Sequence, residues 1–178
     1  MTRRLSLSLL LAVAVVALSA APARAQFIGI SFGGIATKIA IPTGTLADSW
    51  KVGFGGGLGG EHRLRDNNWA IDGDIGYMQF LGKTTTSGGF EQHVPNVGCW
   101  EFSGGARYTL GDRDGPVFVG ADAGYFVFSL NGSQGIADQW GVLPTIGFRA
   151  NAFRIAARYK VLGDAHWVDV RLSLRRGF

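Results

Sequence analysis

The residues of this sequence that could carry chemistry are three histidines, one cysteine and a glycine-rich run. His62, His93 and His166 are too far apart to show the spacing of a shared metal site, and each is typical of a surface histidine. The single Cys99 excludes an internal disulfide framework and a cysteine-based metal site. We therefore expect no metal, no cofactor and no catalytic residue.

The run from Gly53 to Gly60 has the look of a phosphate-binding loop. Such a loop must be followed by a helix and closed by Lys-Ser/Thr, and neither pattern is present here. The glycines occur at alternate positions, a pattern that is typical of a close-packed strand.

Composition limits the class of protein. The chain has 178 residues, of which 47% are hydrophobic, 17% are charged and 28 are glycine. Ordinary proteins contain about 25% charged residues and about 7% glycine. The apolar content argues against disorder, the glycines lack the collagen period, and the length indicates one domain.

Residues 1–25 have the pattern of a secretory signal peptide. Arg3-Arg4 precedes an apolar run from Leu5 to Ala20, and Ala23-Arg24-Ala25 forms a cleavage site ahead of the predicted mature domain, residues 26–178. Removing Arg3, Arg4 and Arg24 leaves 14 bases against 13 acids, a net charge of +1. We therefore expect no nucleic-acid partner.

The mature chain shows alternation of period two and no apolar run long enough for a membrane-spanning helix. Turn-forming clusters separate eight such segments. The predicted strands are Phe27–Ile39, Trp50–Glu61, Trp69–Leu81, Trp100–Leu110, Val117–Ser129, Trp140–Arg149, Phe153–Val161 and Trp167–Phe178.

Charged residues in these segments share one face, opposite the aliphatic residues. Only Lys38 and Arg176 are assigned to the apolar face. The residues of the charged face are Lys51, Glu61, Asp72, Asp74, Glu101, Arg107, Asp122, Arg149, Arg154, Arg158, Lys160, Asp169, Arg171 and Arg175. Gly53, Gly55, Gly57 and Gly59 share that face, which suits the narrow interior of an eight-stranded barrel.

Tryptophan and loop positions favour a membrane barrel over a soluble, lipocalin-like one. Trp50, Trp100, Trp140 and Trp167 open alternate strands, so an up-and-down barrel would gather them at one rim as an interface girdle. Trp167 has the inward parity and would need a bulge to turn outward. The connections at that rim, Ala40–Ser49, Gly82–Cys99, Leu130–Gln139 and Leu162–His166, are mostly longer than those at the other. The sequence thus predicts an all-β, eight-stranded, antiparallel, up-and-down transmembrane β-barrel.

The stretches Val52–Ile71, Asp74–Phe80 and Pro116–Tyr125 resemble the small outer-membrane β-barrel family related to opacity surface proteins and the OmpA membrane domain. Terminal Phe178, preceded at alternating positions by Leu172 and Leu174, resembles the signal recognised by the barrel assembly machinery. The resemblance implies a Gram-negative outer membrane, with lipid and lipopolysaccharide as surroundings. We expect a monomer.

The leading functional hypothesis is a structural, surface-exposed barrel with a salt-bridged interior, acting in envelope integrity or surface contact. Acids dominate the second to fifth strands and bases the sixth to eighth, so oppositely charged arcs would pair across a narrow lumen. A small channel is the alternative. A lipid-modifying enzyme is third, because His166 lacks the His-x-Ser pattern of outer-membrane deacylases.

A simple fractionation separates the membrane barrel from the soluble one. We expect the protein in the outer-membrane fraction, migrating faster on SDS gels when unboiled, because a closed sheet resists detergent until heated. A water-soluble pool without a heat-dependent shift would contradict the prediction.

Overall fold

The structure is a computed structural model that describes residues 30–64, 67–87, 90–130, 136–150 and 153–174. The predicted signal peptide, the predicted inward charge Arg175 and the C-terminal Phe178 lie outside the described residues. Among the residues it describes, no helix has both the length and the apolar content needed to cross a membrane.

Ten strands and one short helix make up the described part of the chain. Eight strands form the barrel: β1 (Ile30–Gly44), β2 (Trp50–Arg63), β3 (Trp69–Gly82), β6 (Val97–Thr109), β7 (Val117–Leu130), β8 (Ile136–Ala150), β9 (Phe153–Leu162) and β10 (Ala165–Leu174). A separate hairpin consists of β4 (Thr84–Ser87) and β5 (Phe90–His93), and helix α1 (Thr45–Ser49) joins β1 to β2.

The barrel is closed, in the order β1-β10-β9-β8-β7-β6-β3-β2. Barrel strands that follow one another in the chain lie side by side, with the β4–β5 hairpin inserted between β3 and β6, and each pair of neighbouring strands is antiparallel. The predicted eight-stranded antiparallel barrel is confirmed. Closure leaves no barrel strand with an unpaired edge.

The two ends of the barrel differ. The hairpin rim, as we call it, carries α1, the β4–β5 hairpin and the tight turn at Gly163, whose φ of +56° suits glycine. The opposite turn rim carries the short connections after β2, β6 and β8. Strands reach further toward the hairpin rim than predicted: Pro42 and Gly44 resemble turn residues, yet β1 stays in register with β10 up to the pair Gly44–Ala165.

Apolar side chains cover the outside of the barrel. Along β3, for example, Ile71 and Ile75 are exposed while Asp72 and Asp74 are buried. The outward belt includes Ile35, Ile39, Ile41, Phe54, Leu58, Phe102, Val142, Ile146, Phe148, Phe153, Ile155, Val170, Leu172 and Leu174. Outward apolar and inward polar positions are the arrangement of a barrel that faces lipid.

Aromatic pairs flank this belt at both rims. The ring centroids lie 5.1 Å apart in Tyr77–Trp100 and 5.1 Å apart in Tyr125–Trp140 near the hairpin rim, and 5.2 Å apart in Trp69–Tyr108 at the turn rim. Trp100 and Trp140 are exposed on the outside, where the sequence places a girdle. Their neighbours in the girdle are therefore tyrosines on adjacent strands.

Glycines on the inward face of β2 make room for large side chains from other strands. A Cβ added to Gly53 would lie 2.9 Å from the Phe80 ring, and one added to Gly59 would lie 2.9 Å from Arg171 Nη2. Real Cβ atoms do not approach that closely. These two glycines therefore provide volume for an interior ring and an interior guanidinium group.

The girdle and interior assignments at the start of β2 are wrong, because the register shifts between Trp50 and Gly53. A bulge of this kind changes which face each residue occupies. Lys51, predicted to be inward, is exposed. Trp50, predicted to join the girdle, packs against the buried core, and its Nε1–H donates to Pro95 O at 3.2 Å.

Two further assignments are corrected. Trp167 does not bulge outward into the girdle: it keeps its inward parity and is only 1% exposed. Lys38, assigned to the apolar face, is buried inside the barrel on the face of Ala36 and Ala40. Both follow the uninterrupted alternation of β10 and β1, so the strand geometry decides their positions.

Lipid-depth quenching tests these tryptophan positions. Single-tryptophan variants that keep only Trp140 or only Trp167 are reconstituted with lipids brominated near the interface. We expect strong quenching for Trp140, which is 72% exposed, and little for Trp167, which is enclosed. Similar quenching of both residues would show that Trp167 faces lipid.

Candidate functional site

The barrel interior gathers the chain's charged side chains at inward positions of all eight barrel strands. Thirteen such residues are largely buried among the described residues. They are Lys38, Glu61, Asp72, Asp74, Glu101, Arg107, Asp122, Arg149, Arg154, Arg158, Lys160, Asp169 and Arg171. Charges in such an enclosure need partners, because an isolated buried ion costs several kcal/mol.

Glu101 is the centre of the interior ion pairs. Its carboxylate lies 2.9 Å from Lys38 Nζ, 2.7 Å from Lys160 Nζ and 3.1 Å from Arg158 Nη1. These partners come from β1 and β9, while Glu101 belongs to β6. One carboxylate thus connects three parts of the barrel wall across the lumen.

Asp169 and Asp74 extend these contacts. Arg158 donates two hydrogen bonds to Asp169, from Nε at 3.0 Å and from Nη2 at 2.9 Å. This fork geometry follows from the register, since the two residues are directly paired across β9 and β10. Asp74 lies 2.7 Å from Lys38 Nζ and 2.5 Å from Arg171 Nη2.

We call this group the central network. Its members are Lys38, Asp74, Glu101, Asp122, Arg158, Lys160, Asp169 and Arg171. Asp122 is its least tightly held member: its nearest cationic nitrogens are Arg107 Nη2 at 3.9 Å and Arg158 Nη1 at 4.0 Å. Asp122 therefore lies between the central network and the charges nearer the turn rim.

A second group, the arginine cluster, lies nearer the turn rim and consists of Glu61, Asp72, Arg107, Arg149 and Arg154. Glu61 contacts three of its arginines: Arg154 closely, Arg149 at 3.0 Å and Arg107 at 3.7 Å. Arg107 also pairs closely with Asp72.

The three arginines of the arginine cluster pack over the ring of Phe118. The guanidinium carbons of Arg149, Arg154 and Arg107 lie 4.9, 5.4 and 5.5 Å from the centroid of this buried ring. Cations over an aromatic face are attracted by its quadrupole. Like charges from β6 and β8–β9 can therefore sit close together.

An apolar plug fills the lumen toward the hairpin rim. Trp167 is at its centre, with the rings of Phe80, Phe126 and Phe128 edge-on at centroid distances of 5.5, 5.7 and 6.2 Å. Ala40, Met78, Val97, Cys99, Leu143 and Leu162 complete this plug. Lys160 Nζ lies 5.2 Å from the Trp167 centroid, so the plug rests directly on the central network.

The histidines are not brought together. His62 lies at the end of β2, His93 on β5 and His166 on β10, where it stacks on Tyr159 with centroids 6.1 Å apart. His93 Nδ1 lies 2.9 Å from Thr84 Oγ1, a contact that follows from their pairing across the β4–β5 hairpin. Among the described residues, no group of three His, Cys, Asp or Glu could hold a metal ion.

Comparison with known proteins gives structural relatives only. No protein-family model and no curated protein matches the chain. The crystal structure of Neisserial surface protein A (NspA) is similar with a TM-score of 0.53 and 15% identity, covering 84% of this chain and 97% of that chain. Ail, the attachment invasion locus protein of Yersinia pestis, gives a TM-score of 0.43 and 19% identity, covering 82% of this chain and 95% of that chain.

Fold and interior together define an eight-stranded antiparallel β-barrel with apolar residues outside and ion pairs inside. This chain has the fold of the small outer-membrane barrels, of which NspA is one. The resemblance recognised in the sequence is confirmed at the level of fold.

Removing the central carboxylate tests the ion pairs. Glu101→Gln leaves Lys38, Arg158 and Lys160 without a shared anion, and breaking a buried pair in this way costs about 3–5 kcal/mol. The measurement is urea unfolding of the refolded protein in lipid vesicles. The matched control is Glu91→Gln on exposed β5, where a change within about 0.5 kcal/mol is expected. Equal stabilities of the two variants would contradict the role of Glu101.

Proposed function

We propose that this chain is a surface-exposed outer-membrane barrel protein with a closed lumen, which presents its hairpin rim to the cell exterior. The lipid-facing belt and the aromatic pairs at both rims support insertion in a membrane. The predicted signal peptide supports export, and longer structure at one rim is typical of the extracellular end of such barrels.

The proposal of a closed lumen rests on one observation: side chains fill the lumen at two successive levels. Trp167 and three phenylalanine rings block the hairpin end, and Glu101 with its three cations crosses the middle. To pass through the lumen, an ion would have to push apart the side chains within each of these two levels. Eight strands enclose only enough space for side chains.

The hairpin rim supports a role in surface contact. The β4–β5 hairpin exposes Phe90 by 82% and also exposes Glu91 and Gln92. Its base is anchored: Gly82 N–H donates to Asn96 Oδ1 at 2.8 Å, and Lys83 N–H donates to Ser49 O at 2.9 Å. A hairpin that is anchored at its base and exposes an aromatic residue offers a contact surface to a partner.

Several partners belong to this proposal. Outer-membrane lipid and lipopolysaccharide would surround the apolar belt, and the barrel assembly machinery would recognise the C-terminal sequence pattern of Leu172, Leu174 and Phe178. The barrel would act as a monomer in envelope integrity or surface contact. The interior arrangement disfavours the small channel. His93 contacts Thr84 across the β4–β5 hairpin and His166 stacks on Tyr159, and neither contact supports the enzyme hypothesis.

Planar-bilayer recording of the purified protein tests the closed lumen. We expect no steady single-channel conductance from the natural sequence. Trp167→Ala should destabilise the barrel by about 3–5 kcal/mol, as large-to-small changes in cores do, and should produce intermittent leaks. Trp140→Ala, an outward change of the same kind, should stay silent. High, steady conductance from the natural sequence would contradict the closed lumen and favour the channel hypothesis.

A further inference from the structure

A small cavity opens inside the barrel between the arginine cluster and the central network. Its volume is about 30 Å³. Gly59 of β2 contributes backbone to its wall, and its charged lining consists of Glu61, Asp72, Arg107, Arg154 and Arg171. The side chains of Asp72, Arg107 and Arg171 are each more than nine-tenths buried. Charged groups of both signs therefore border a space that has little access to solvent.

The ion pairs at this level leave particular atoms of the lining without a partner. Arg107 Nη2 pairs closely with Asp72 Oδ2. Arg171 Nη2 lies 2.5 Å from Asp74 Oδ2. Among the described residues, Arg107 Nε, Arg171 Nε and Asp72 Oδ1 have no hydrogen-bond partner, and all three atoms are shielded from solvent. Two N–H donors and one acceptor thus belong to side chains that line the same cavity.

Acceptors also remain without a partner next to the cavity. Neither carboxylate oxygen of Asp122 has a hydrogen-bond partner in the part of the chain that the structure describes, and its nearest cationic nitrogens lie 3.9 and 4.0 Å away. Asp74 Oδ2 is in an ion pair with Arg171 but forms no hydrogen bond within the described ranges. Donors and acceptors are therefore mixed in this region, so charge alone selects neither an anion nor a cation.

We propose that this cavity binds a structural water molecule, which accepts hydrogen bonds from Arg107 Nε–H and Arg171 Nε–H and donates one to Asp72 Oδ1. A buried water typically makes about three hydrogen bonds to polar groups that have no other partner, and the lining offers that number. The volume also suffices, because a cavity must provide about 10–15 Å³ to hold one water.

Small ions match this lining less well than water. A halide would accept from both Nε–H groups, but it has no hydrogen to donate to Asp72 Oδ1 and would lie beside that negative charge. A metal cation would bind the carboxylate and face two guanidinium groups at close range. Water is neutral and both donates and accepts, so it satisfies the three groups together without adding a buried charge.

The water would join the two charged groups of the interior. Asp72 and Arg107 belong to the arginine cluster and lie on β3 and β6, whereas Arg171 belongs to the central network and lies on β10. A water-mediated hydrogen bond is nearly as favourable in enthalpy as a direct one. The site goes beyond the proposed surface role and does not depend on it, because it concerns only the lumen on the turn-rim side of the central network.

The first experiment uses the natural sequence alone. Crystals of the detergent-solubilised protein are soaked in sodium bromide or in rubidium chloride, and diffraction is measured at a resolution that shows ordered waters, with anomalous data for both ions. We expect a density peak within about 2.5–3.2 Å of Arg107 Nε, Arg171 Nε and Asp72 Oδ1, without anomalous signal. An anomalous peak in the cavity would identify an ion and would overturn the proposal, and so would the lack of any density peak there.

The second experiment removes one donor and keeps the charge. Arg171→Lys retains a cation opposite Asp74 but has no Nε–H, and Arg63→Lys makes the same exchange at the turn rim, outside the cavity lining. The measurement is the nuclear Overhauser effect between Arg107 Nε–H and a long-lived water in the refolded, isotope-labelled protein. We expect this effect in the natural protein and in Arg63→Lys, and its loss in Arg171→Lys.

The outcomes separate a held water from general hydration of the lumen. An equal effect in the natural protein and in Arg171→Lys would show that Arg171 does not hold the water, and would contradict the proposal. If Arg171→Lys did not refold, the diffraction data on the natural protein would still decide the result. Neither measurement depends on conductance or surface contact, so the proposed function can fail while the water site stands.

Discussion

The structure depends on one constraint: charged side chains enclosed by a narrow, closed sheet have to neutralise one another. Water at the ends of the lumen reaches few of them, and several are fully buried. Arg158 meets this constraint with a forked contact to Asp169 and a third contact to Glu101. The outer face meets the opposite constraint by carrying apolar side chains, so the two faces of the barrel strands have different chemistry.

Volume is the second constraint, and glycine answers it. Rings and guanidinium groups project inward from β3 and β10, and β2 presents glycines beside them: Gly53 next to Phe80 of β3, and Gly59 next to Arg171 of β10. Large and small positions therefore complement each other on nearby strands. A side chain at position 59 would disturb the ion pair between Arg171 and Asp74, even though no charged group is altered.

Strand alternation made much of this predictable. In β3 and β9, unbroken alternation correctly separates the residues on the two faces, because a strand's side chains must point to opposite sides. The outward positions of Trp100 and Trp140 follow from the same rule. The identity of the contacts does not follow, since parity places Glu101 inside without showing which cations reach it.

The wrong assignments have separate physical causes. The bulge before Gly53 belongs to the pairing of β2 with β3, which no local pattern reveals, and it exchanges the faces of Trp50 and Lys51. Trp167 shares the strand-opening position of the other girdle tryptophans, but its own parity points inward. The sequence does not predict the β4–β5 hairpin, because its threonines and serine resemble a flexible loop.

The contacts of Lys38 also bear on the order in which the barrel assembles. Lys38 belongs to the first strand, whereas Glu101 lies 63 residues later and the other cations that contact this carboxylate belong to the ninth. These groups can meet only after the sheet has curled far enough to bring its two ends together. Contacts formed after the rate-limiting transition state slow unfolding without speeding folding. A network completed at closure would therefore act as a latch, giving the finished barrel a long lifetime.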